Sequence, residues 1–432
     1  MPETSDHTAS TAPTPTAGGC PFGPNGSGFN PFATPGFADL PQQLATARNE
    51  APVFYSEPFG MWIVSRYDDV LRILKDADRF SSSTRPMILS AFPDGIRAEL
   101  AGTHTFAAPN LAFDGQPAHD RLRGPVAKYF SAKAMLRREA RIREIATRCF
   151  DDMPETPPGT PFDLAESFAR PVACRVIIDL AGLPTEDHDR IMRYHEAVNA
   201  FFFGKPPVDK LAGYAADVLE LEAYLAEVIE ARRHDPQDGL ISYLLDLMVK
   251  GEADYTTGEL ISLISFDILA AGIRPAGFVI INLCRELLRE PQHWDSLRAD
   301  PTLFDNAFSE SLRRSGIGLG VFRTATTDVE VAGVRIPEGA ALWALVSSAD
   351  YDGSRFHDPL VFDPHRPNLA GSLHFAQGLH YCLGSYLART VARVGVGLLM
   401  RHHPRLRLVP DQMTEYESSI NLMLPTRLLV QP

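Results

Sequence analysis

Cysteine is scarce in this sequence of 432 residues, and acidic residues outnumber basic ones. The cysteines are odd in number and widely spaced, which argues against a disulfide framework and for a reducing compartment; they are Cys20, Cys149, Cys174, Cys284 and Cys382. The formal net charge of −13 disfavours nonspecific electrostatic binding to nucleic acid, which is itself negatively charged. We therefore expect a cytoplasmic protein with no nucleic-acid partner.

The sequence also lacks a recognisable leader and a membrane span. Its first residues, MPETSDHTASTAPTPTAGG, have neither the basic start nor the apolar run of a secretory signal. No stretch of 18 or more apolar residues is free of charge, so the hydropathy pattern predicts no membrane association.

What is present is a mostly helical pattern with a few strands. Residues 1–27 are rich in Ser, Thr, Pro and Gly and are expected to form a disordered tail, while residues 28–432 are expected to form one folded unit. Strand patterns lie near the two ends, in PVFYSE, MWIVSR, VEVAGVRIPEGAALWALVSS and NLMLPTRLLV. The predicted fold is mostly α with a small β portion made from both ends of the chain.

The segment around Cys382 carries the strongest chemical signal. A loop with glycines ends at this cysteine, and a helix with an apolar stripe follows. The free N–H groups and positive dipole end of a helix lower the pKa of a thiol, so one interpretation is a thiolate that binds a metal. The alternative is a cysteine that is simply buried, which is the usual fate of a free cysteine.

The neighbouring residues favour the metal ligand. They resemble the haem-ligand loop of the cytochrome P450 superfamily in the pattern Phe375-x-x-Gly378-x-His380-x-Cys382-x-Gly384. One departure is Ala376, where glycine is common. The resemblance covers residues 28–432 and implies the P450 fold as a single haem domain, with haem b (iron protoporphyrin IX) as cofactor and Cys382 as the iron ligand.

Other segments extend the resemblance. Glu310 and Arg313 share a helix face at i and i+3, and with Arg366 the resemblance implies a buried structural cluster that supports the cysteine loop. It also implies that the haem propionates are contacted by His119, Arg123, Arg323 and His380. Arginine suits this role because its guanidinium binds a carboxylate with fork geometry.

The longest helical segment reads Ala271-Gly272-Ile273-Arg274-Pro275 at its centre. It resembles the helix that crosses the distal face of the haem, where most members of the superfamily carry an acid and an alcohol in place of Arg274 and Pro275. Those groups usually relay protons during dioxygen activation, whereas proline has no hydroxyl and arginine stays protonated. Pro275 also removes the hydrogen bond to the carbonyl of Ala271 and, with Gly272, predicts a bend.

Three interpretations of Arg274 are open. It pairs with an acidic residue of the protein, although Asp267 is about 10 Å away along the helix axis. Alternatively, it binds a substrate carboxylate near the haem, as implied by a local resemblance to the fatty-acid peroxygenase branch, which also carries Arg-Pro here. The third interpretation is an unusual reaction that needs no dioxygen activation.

The resemblance implies a monooxygenase that inserts one oxygen atom into a small, largely apolar organic substrate, whose carboxylate Arg274 would hold. Electrons would reach it from a ferredoxin and a ferredoxin reductase; the alternatives are a hydrogen-peroxide-dependent peroxygenase and a haem protein with an atypical reaction.

Residues 121–143 carry eight basic residues and one acid, Glu139, where a ferredoxin docks in relatives; a solvated helix face is the alternative. Phe201, Phe202 and Phe203 either cover the substrate entrance or are core aromatics.

Overall fold

The computed structural model describes residues 20–33, 37–154, 157, 159–417 and 419–432. Most of the predicted tail, residues 1–19, lies outside the described residues. Residues 20–27, however, pack on the fold, because Phe22 is only 9% exposed and its ring stacks on Phe54 with a centroid distance of 5.1 Å. These contacts lie on the N-terminal side of the expected boundary at residue 28, and composition alone does not show that one aromatic residue anchors a segment.

Helices make up most of the structure, as predicted. Their bounds are α1 Leu40–Glu50, α2 Tyr67–Lys75, α3 Arg85–Ser90, α4 Asp94–Ala101, α5 His104–Ala107, α6 Ala118–Tyr129, α7 Ala132–Asp151, α8 Arg170–Ala181, α9 His188–Phe202, α10 Leu211–His234, α11 Leu240–Val249, α12 Thr257–Ser262, α13 Ile273–Arg289, α14 Pro291–Ala299, α15 Phe304–Arg314, α16 Val346–Asp350 and α17 Ser385–His402.

The strands are short and, apart from β4, come from the two ends of the chain, which confirms the predicted β portion. Their bounds are β1 Val53–Ser56, β2 Met61–Val64, β3 Phe80–Ser81, β4 Phe162–Asp163, β5 Val321–Ala325, β6 Val329–Val331, β7 Val334–Ile336, β8 Ala341–Ala344, β9 Arg407–Leu408 and β10 Leu429–Gln431. The largest sheet has the order β1-β2-β8-β5-β3, and its β2 and β8 run parallel, joining the two ends of the sequence. Within NLMLPTRLLV only the last residues form a strand.

Helix α13 lies at the centre of the molecule and packs against α8 and α17. Nearly all of its residues are buried, and its buried polar side chains, Asn282, Arg285 and Glu286, are hydrogen-bonded within the protein. By length and composition the run Thr257–Arg289 would also suit a membrane span, yet 72% of its most apolar window is buried inside the fold. Its apolar character is therefore accounted for by packing within the protein.

The start of this long run is fixed by a capping box. The N–H of Glu259 donates to Thr256 Oγ1 at 3.1 Å, and the N–H of Thr256 donates to Glu259 Oε2 at 2.8 Å. These two bonds satisfy backbone donors that the first turn leaves free. Thr256 and Glu259 therefore define the N-terminus of α12.

The run is interrupted where the bend was predicted. Residues Leu263–Ala270 form a π-helical segment, the N–H of Ala271 donates to the carbonyl of Phe266 at 2.8 Å, and α13 begins only at Ile273. Pro275 lies in the first turn of α13, where a missing N–H costs little. The run Thr257–Arg289 thus consists of two helical pieces joined at Ala271 and Gly272.

Gly272 gives a direct test of this junction. Its backbone conformation is ordinary for a helix, but an added Cβ would lie 2.1 Å from the carbonyl oxygen of Ile268. We expect Gly272→Ala to lower the free energy of unfolding by about 2 kcal/mol. The matched change Gly397→Ala, inside α17 with no atom within 4 Å of the new Cβ, should raise it by about 0.5–1 kcal/mol. Urea unfolding followed by circular dichroism measures both, and equal effects would contradict the proposed clash.

Candidate active site

The cysteine loop lies between a short turn, Gly378–His380, and α17. Cys382 comes three residues before the first residue of α17, and its N–H donates to the carbonyl of Phe375 at 2.9 Å, which closes the loop. The side chain lies deep in the fold yet keeps accessible surface. Cys382 therefore borders an internal cavity.

The electrostatics of Cys382 differ from the sequence-based expectation. Burial raises the pKa of the thiol, and the N–H of Gly384 and the charge of Arg123 offset this only in part. The helix terminus was expected to lower the pKa, but burial outweighs it because a low-dielectric surrounding disfavours the thiolate. A metal cation on the sulfur reverses this balance, since a coordinating thiol is deprotonated.

Three small residues shape the loop in different ways. Gly378 has φ +75°, and an added Cβ would lie 2.5 Å from the carbonyl oxygen of Leu74, so this position requires glycine. At Gly384 only Cys382 Sγ, at 4.0 Å, lies near an added Cβ, which leaves open space beside the sulfur. Ala376 has φ +58°, a left-handed conformation that costs a non-glycine residue about 1 kcal/mol.

A buried ion-pair cluster holds the chain segment that precedes the cysteine loop. Glu310 Oε2 lies 2.6 Å from Arg313 Nε, and Glu310 Oε1 lies 3.0 Å from Arg366 Nε. Arg313 also donates to the carbonyls of Asp350 and Pro359, at 2.8 Å each. Every charge in the cluster has a partner, as buried charges require. The structure brings together the three residues that the sequence motif pairs.

Two histidines face each other beside the cysteine loop. The rings of His119 and His380 are 4.8 Å apart. His119 is fully buried; its Nδ1 lies 3.1 Å from Asp120 Oδ1, and its Nε2 has no partner among the described residues. His380 Nδ1 donates to the carbonyl of Leu111 at 3.0 Å. Burial, together with nearby Arg323 and His119, lowers the pKa of His380 to about 4.

The two arginines among the predicted propionate contacts, Arg123 and Arg323, form no ion pair with an acidic residue of the described chain. Arg323 is 7% exposed, donates to the carbonyl of Phe322 at 2.7 Å and forms no ion pair within the described part of the chain. Burial lowers its pKa to about 10. Arg123 donates to the carbonyl of Tyr381, and burial lowers its pKa as well. A buried arginine and a half-buried arginine, both without an ion pair among the described residues and next to an orphaned ring nitrogen, fit the two propionates of a haem whose iron would be bound by Cys382.

On the distal helix, Arg274 has an acidic partner. Its Nη1 lies 2.6 Å from Glu417 Oε2, in a cavity of about 320 Å³ that Arg170 and Arg193 also line. Asp267 is engaged elsewhere, because its Oδ2 accepts the N–H of Leu111 at 3.1 Å. An acidic partner of the protein is thus found for Arg274, as the first interpretation proposed. The sequence did not reveal Glu417, which is 143 positions away.

The phenylalanine triplet, Phe201 to Phe203, packs against Phe266 in the segment between α12 and α13. Phe201 and Phe202 are each 2% exposed, which fits core aromatics. The ring of Phe202 lies 4.5 Å from that of Phe106 and 4.3 Å from that of Phe266. The triplet therefore joins the end of α9 to the distal helix.

Comparison with known proteins agrees with this geometry. The family model for cytochrome P450 matches residues 55–429. The chain is 33% identical to erythromycin C-12 hydroxylase of Saccharopolyspora erythraea over 87% of this chain and 91% of that protein. It is 32% identical to nocardicin C N-oxygenase of Nocardia uniformis over 93% and 97% of the two chains.

Structural similarity extends over the same region. The crystal structure of the P450 haem domain of Tepidiphilus thermophilus superimposes with a TM-score of 0.83 at 28% identity, over 94% of this chain and 96% of that one. Members of this family bind haem b and act as monooxygenases on small organic molecules, generally with redox partners. This chain belongs to the cytochrome P450 family.

Proposed function

We propose that this protein is a cytoplasmic haem-thiolate monooxygenase that hydroxylates a small, largely apolar organic molecule, with electrons supplied by a ferredoxin and its reductase. The observation that carries the proposal is that, among the described residues, buried Arg323 has no ion pair and His119 Nε2 has no hydrogen-bond partner. The relatives are named as hydroxylases, epoxidases and an N-oxygenase, which supports insertion of one oxygen atom as the reaction class.

Each group of residues in the proposed site has its own role. Cys382 would hold the iron, and the propionates would be bound by His119, Arg123, Arg323 and His380. A haem held by a thiolate supplies the centre at which dioxygen is cleaved and one oxygen atom is inserted into a C–H bond. The Glu310 cluster fixes the loop so that the sulfur keeps its position, and the apolar wall around Phe202 excludes water from the substrate.

A second candidate is a peroxygenase that recognises a substrate carboxylate through Arg274. The observation that favours it is the state of the guanidinium: among the described residues Arg274 donates only from Nη1, to Glu417, and its side chain is 30% exposed. Its remaining donors are available for an anion. With Pro275 beside it, the usual acid and alcohol of the proton relay are missing, which makes hydrogen peroxide an alternative oxidant.

Electron delivery is assigned to the basic surface on α6 and α7. Some of its cations are used inside the protein, since Arg121 pairs with Glu259 and Arg141 with Asp179. Lys128, Lys133 and Arg137 are exposed and form no ion pair within the described chain; Leu136 among them is 71% exposed. A positive surface with an apolar centre suits an acidic ferredoxin.

The iron ligand is tested by Cys382→Ser, with Cys20→Ser as the matched control. We expect the Cys382 variant to lose the thiolate-type carbon monoxide spectrum and substrate oxidation, and the Cys20 variant to keep both. Oxygen consumption measured with product formation separates monooxygenation from an atypical haem reaction. A protein that stays colourless with added hemin, or a Cys382 variant that keeps the thiolate spectrum, would refute the proposal.

Carboxylate recognition is tested by comparing organic acids with their methyl esters. If Arg274 holds the carboxylate, Arg274→Ala should lower kcat/KM for acids about 10- to 100-fold more than for esters, because a charge-assisted bond is lost. Glu417→Gln should increase the preference for acids by freeing the guanidinium. An equal loss for acids and esters would show that Arg274 has only a structural role.

The docking surface is tested by the triple change of Lys128, Lys133 and Arg137 to Glu. Ferredoxin-driven turnover should fall about 10-fold or more at low salt, because charge steering raises association rates, while peroxide-driven turnover should not change. The matched control reverses Lys205, Lys210 and Lys250, which lie outside these two helices. Turnover that depends on peroxide alone would favour the peroxygenase instead.

A further inference from the structure

Asp267 is an enclosed carboxyl group with an incomplete set of partners. It lies in the π-helical segment Leu263–Ala270, and its Oδ2 accepts the N–H of Leu111 at 3.1 Å. Among the described residues this is its only hydrogen bond, and it has no ion pair. The residue is deep in the fold, yet part of its surface is accessible, which shows that it borders an internal cavity.

Other deeply buried carboxyl groups of this protein are better satisfied. Glu310 is held by two arginines. Glu286 accepts from Arg314 and from the hydroxyl of Ser315, and Asp350 accepts the N–H of Leu373 and the hydroxyl of Ser372. Asp267 differs because one of its oxygens has no donor among the described residues. A buried carboxylate normally has a partner, so the missing partner is expected in the cavity.

Contacts connect this cavity to the cysteine loop. The residue that donates to Asp267, Leu111, accepts with its carbonyl from His380 Nδ1 at 3.0 Å. Arg123 lies close enough to both Cys382 and Asp267 for each to affect its pKa. Leu111 thus links Asp267 to His380 of the cysteine loop, and both Asp267 and Cys382 keep accessible surface inside the fold.

Aromatic rings pack around the helical segment that carries Asp267. Phe266 precedes it in the chain, and its ring lies 5.0 Å from that of Phe113, two residues beyond Leu111. Phe202 lies 4.3 Å from Phe266 and 5.5 Å from Phe113. The residues around this segment are thus largely apolar, which suits an occupant that is apolar apart from one cationic nitrogen.

The charges that face Asp267 leave its site open to a cation. Arg85 lies near it but pairs with Asp114, so these two groups largely cancel. Arg123 donates to a carbonyl of the cysteine loop. Burial raises the pKa of Asp267 to about 7, and a bound cation would favour the ionised form.

We propose that Asp267 is the substrate-recognition carboxylate of the cavity, and that it binds the protonated nitrogen of an amine whose remaining surface is largely apolar. The proposal rests on the proposed function, because it makes the cavity beside Cys382 the substrate pocket. It assigns the substrate class from the distal-helix residue that faces the cavity, and Arg274 with Glu417 lies outside this pocket.

The test compares two probes of similar shape, N,N-dimethylphenethylamine and the neutral phenethyl methyl ether. Calorimetry on the haem-loaded protein should show the amine bound about 30-fold more tightly than the ether. Asp267→Asn, which keeps an acceptor for the N–H of Leu111, should abolish this preference and leave ether binding unchanged. The control Asp246→Asn, at an exposed residue paired with Lys250, should behave as wild type.

Proton release gives a second readout. Because Asp267 is partly protonated at neutral pH, amine binding should release a proton, measured by calorimetry in two buffers of different ionisation enthalpy. Equal affinity for the two probes, or a preference that survives in Asp267→Asn, overturns the inference. If the same preparations show the thiolate-type carbon monoxide spectrum, that failure leaves the proposed function standing; loss of the spectrum in wild type would refute the proposed function instead.

Discussion

The structure depends on the requirement that a buried charge has a partner. Glu310 meets it within the protein, because two arginines and several backbone carbonyls complete a closed cluster under the cysteine loop. Among the described residues Arg323 has no carboxylate partner, and the Nε2 atom of His119 has no hydrogen-bond partner. The fold therefore holds one rigid, satisfied cluster and, beside it, a cavity whose polar groups are completed by a cofactor with two carboxylates.

Features set by short sequence spacing were predictable. Thr256 and Glu259 form the capping box because both residues lie within one helical turn, and Glu310 pairs with Arg313 for the same reason. Gly272 and Pro275 marked the bend, because each has a local backbone effect. Strands at the two ends were recognised from alternation, although only their pairing in space joins β2 to β8.

Features that depend on distant contacts were not predictable. The partner of Arg274 is Glu417, from a segment of the chain that carries no local sign of this contact. The pKa of Cys382 was misjudged, since the helix terminus is visible in the sequence but the depth of burial is not. Phe22 anchors residues assigned to the tail, and composition averages over such a single contact.

The distal helix shows how a local irregularity sets the charge of the pocket. In a continuous α-helix, Asp267 and Arg274, seven residues apart, would lie on nearly the same face. The π-helical segment and the break at Gly272 change this phase, so Asp267 engages Leu111 while Arg274 engages Glu417. The positive charge is thereby turned to a separate cavity and neutralised, and the carboxyl group is left facing the space beside Cys382. A pocket with this polarity selects for a cation over an anion, which is why the amine is the substrate class that the geometry favours.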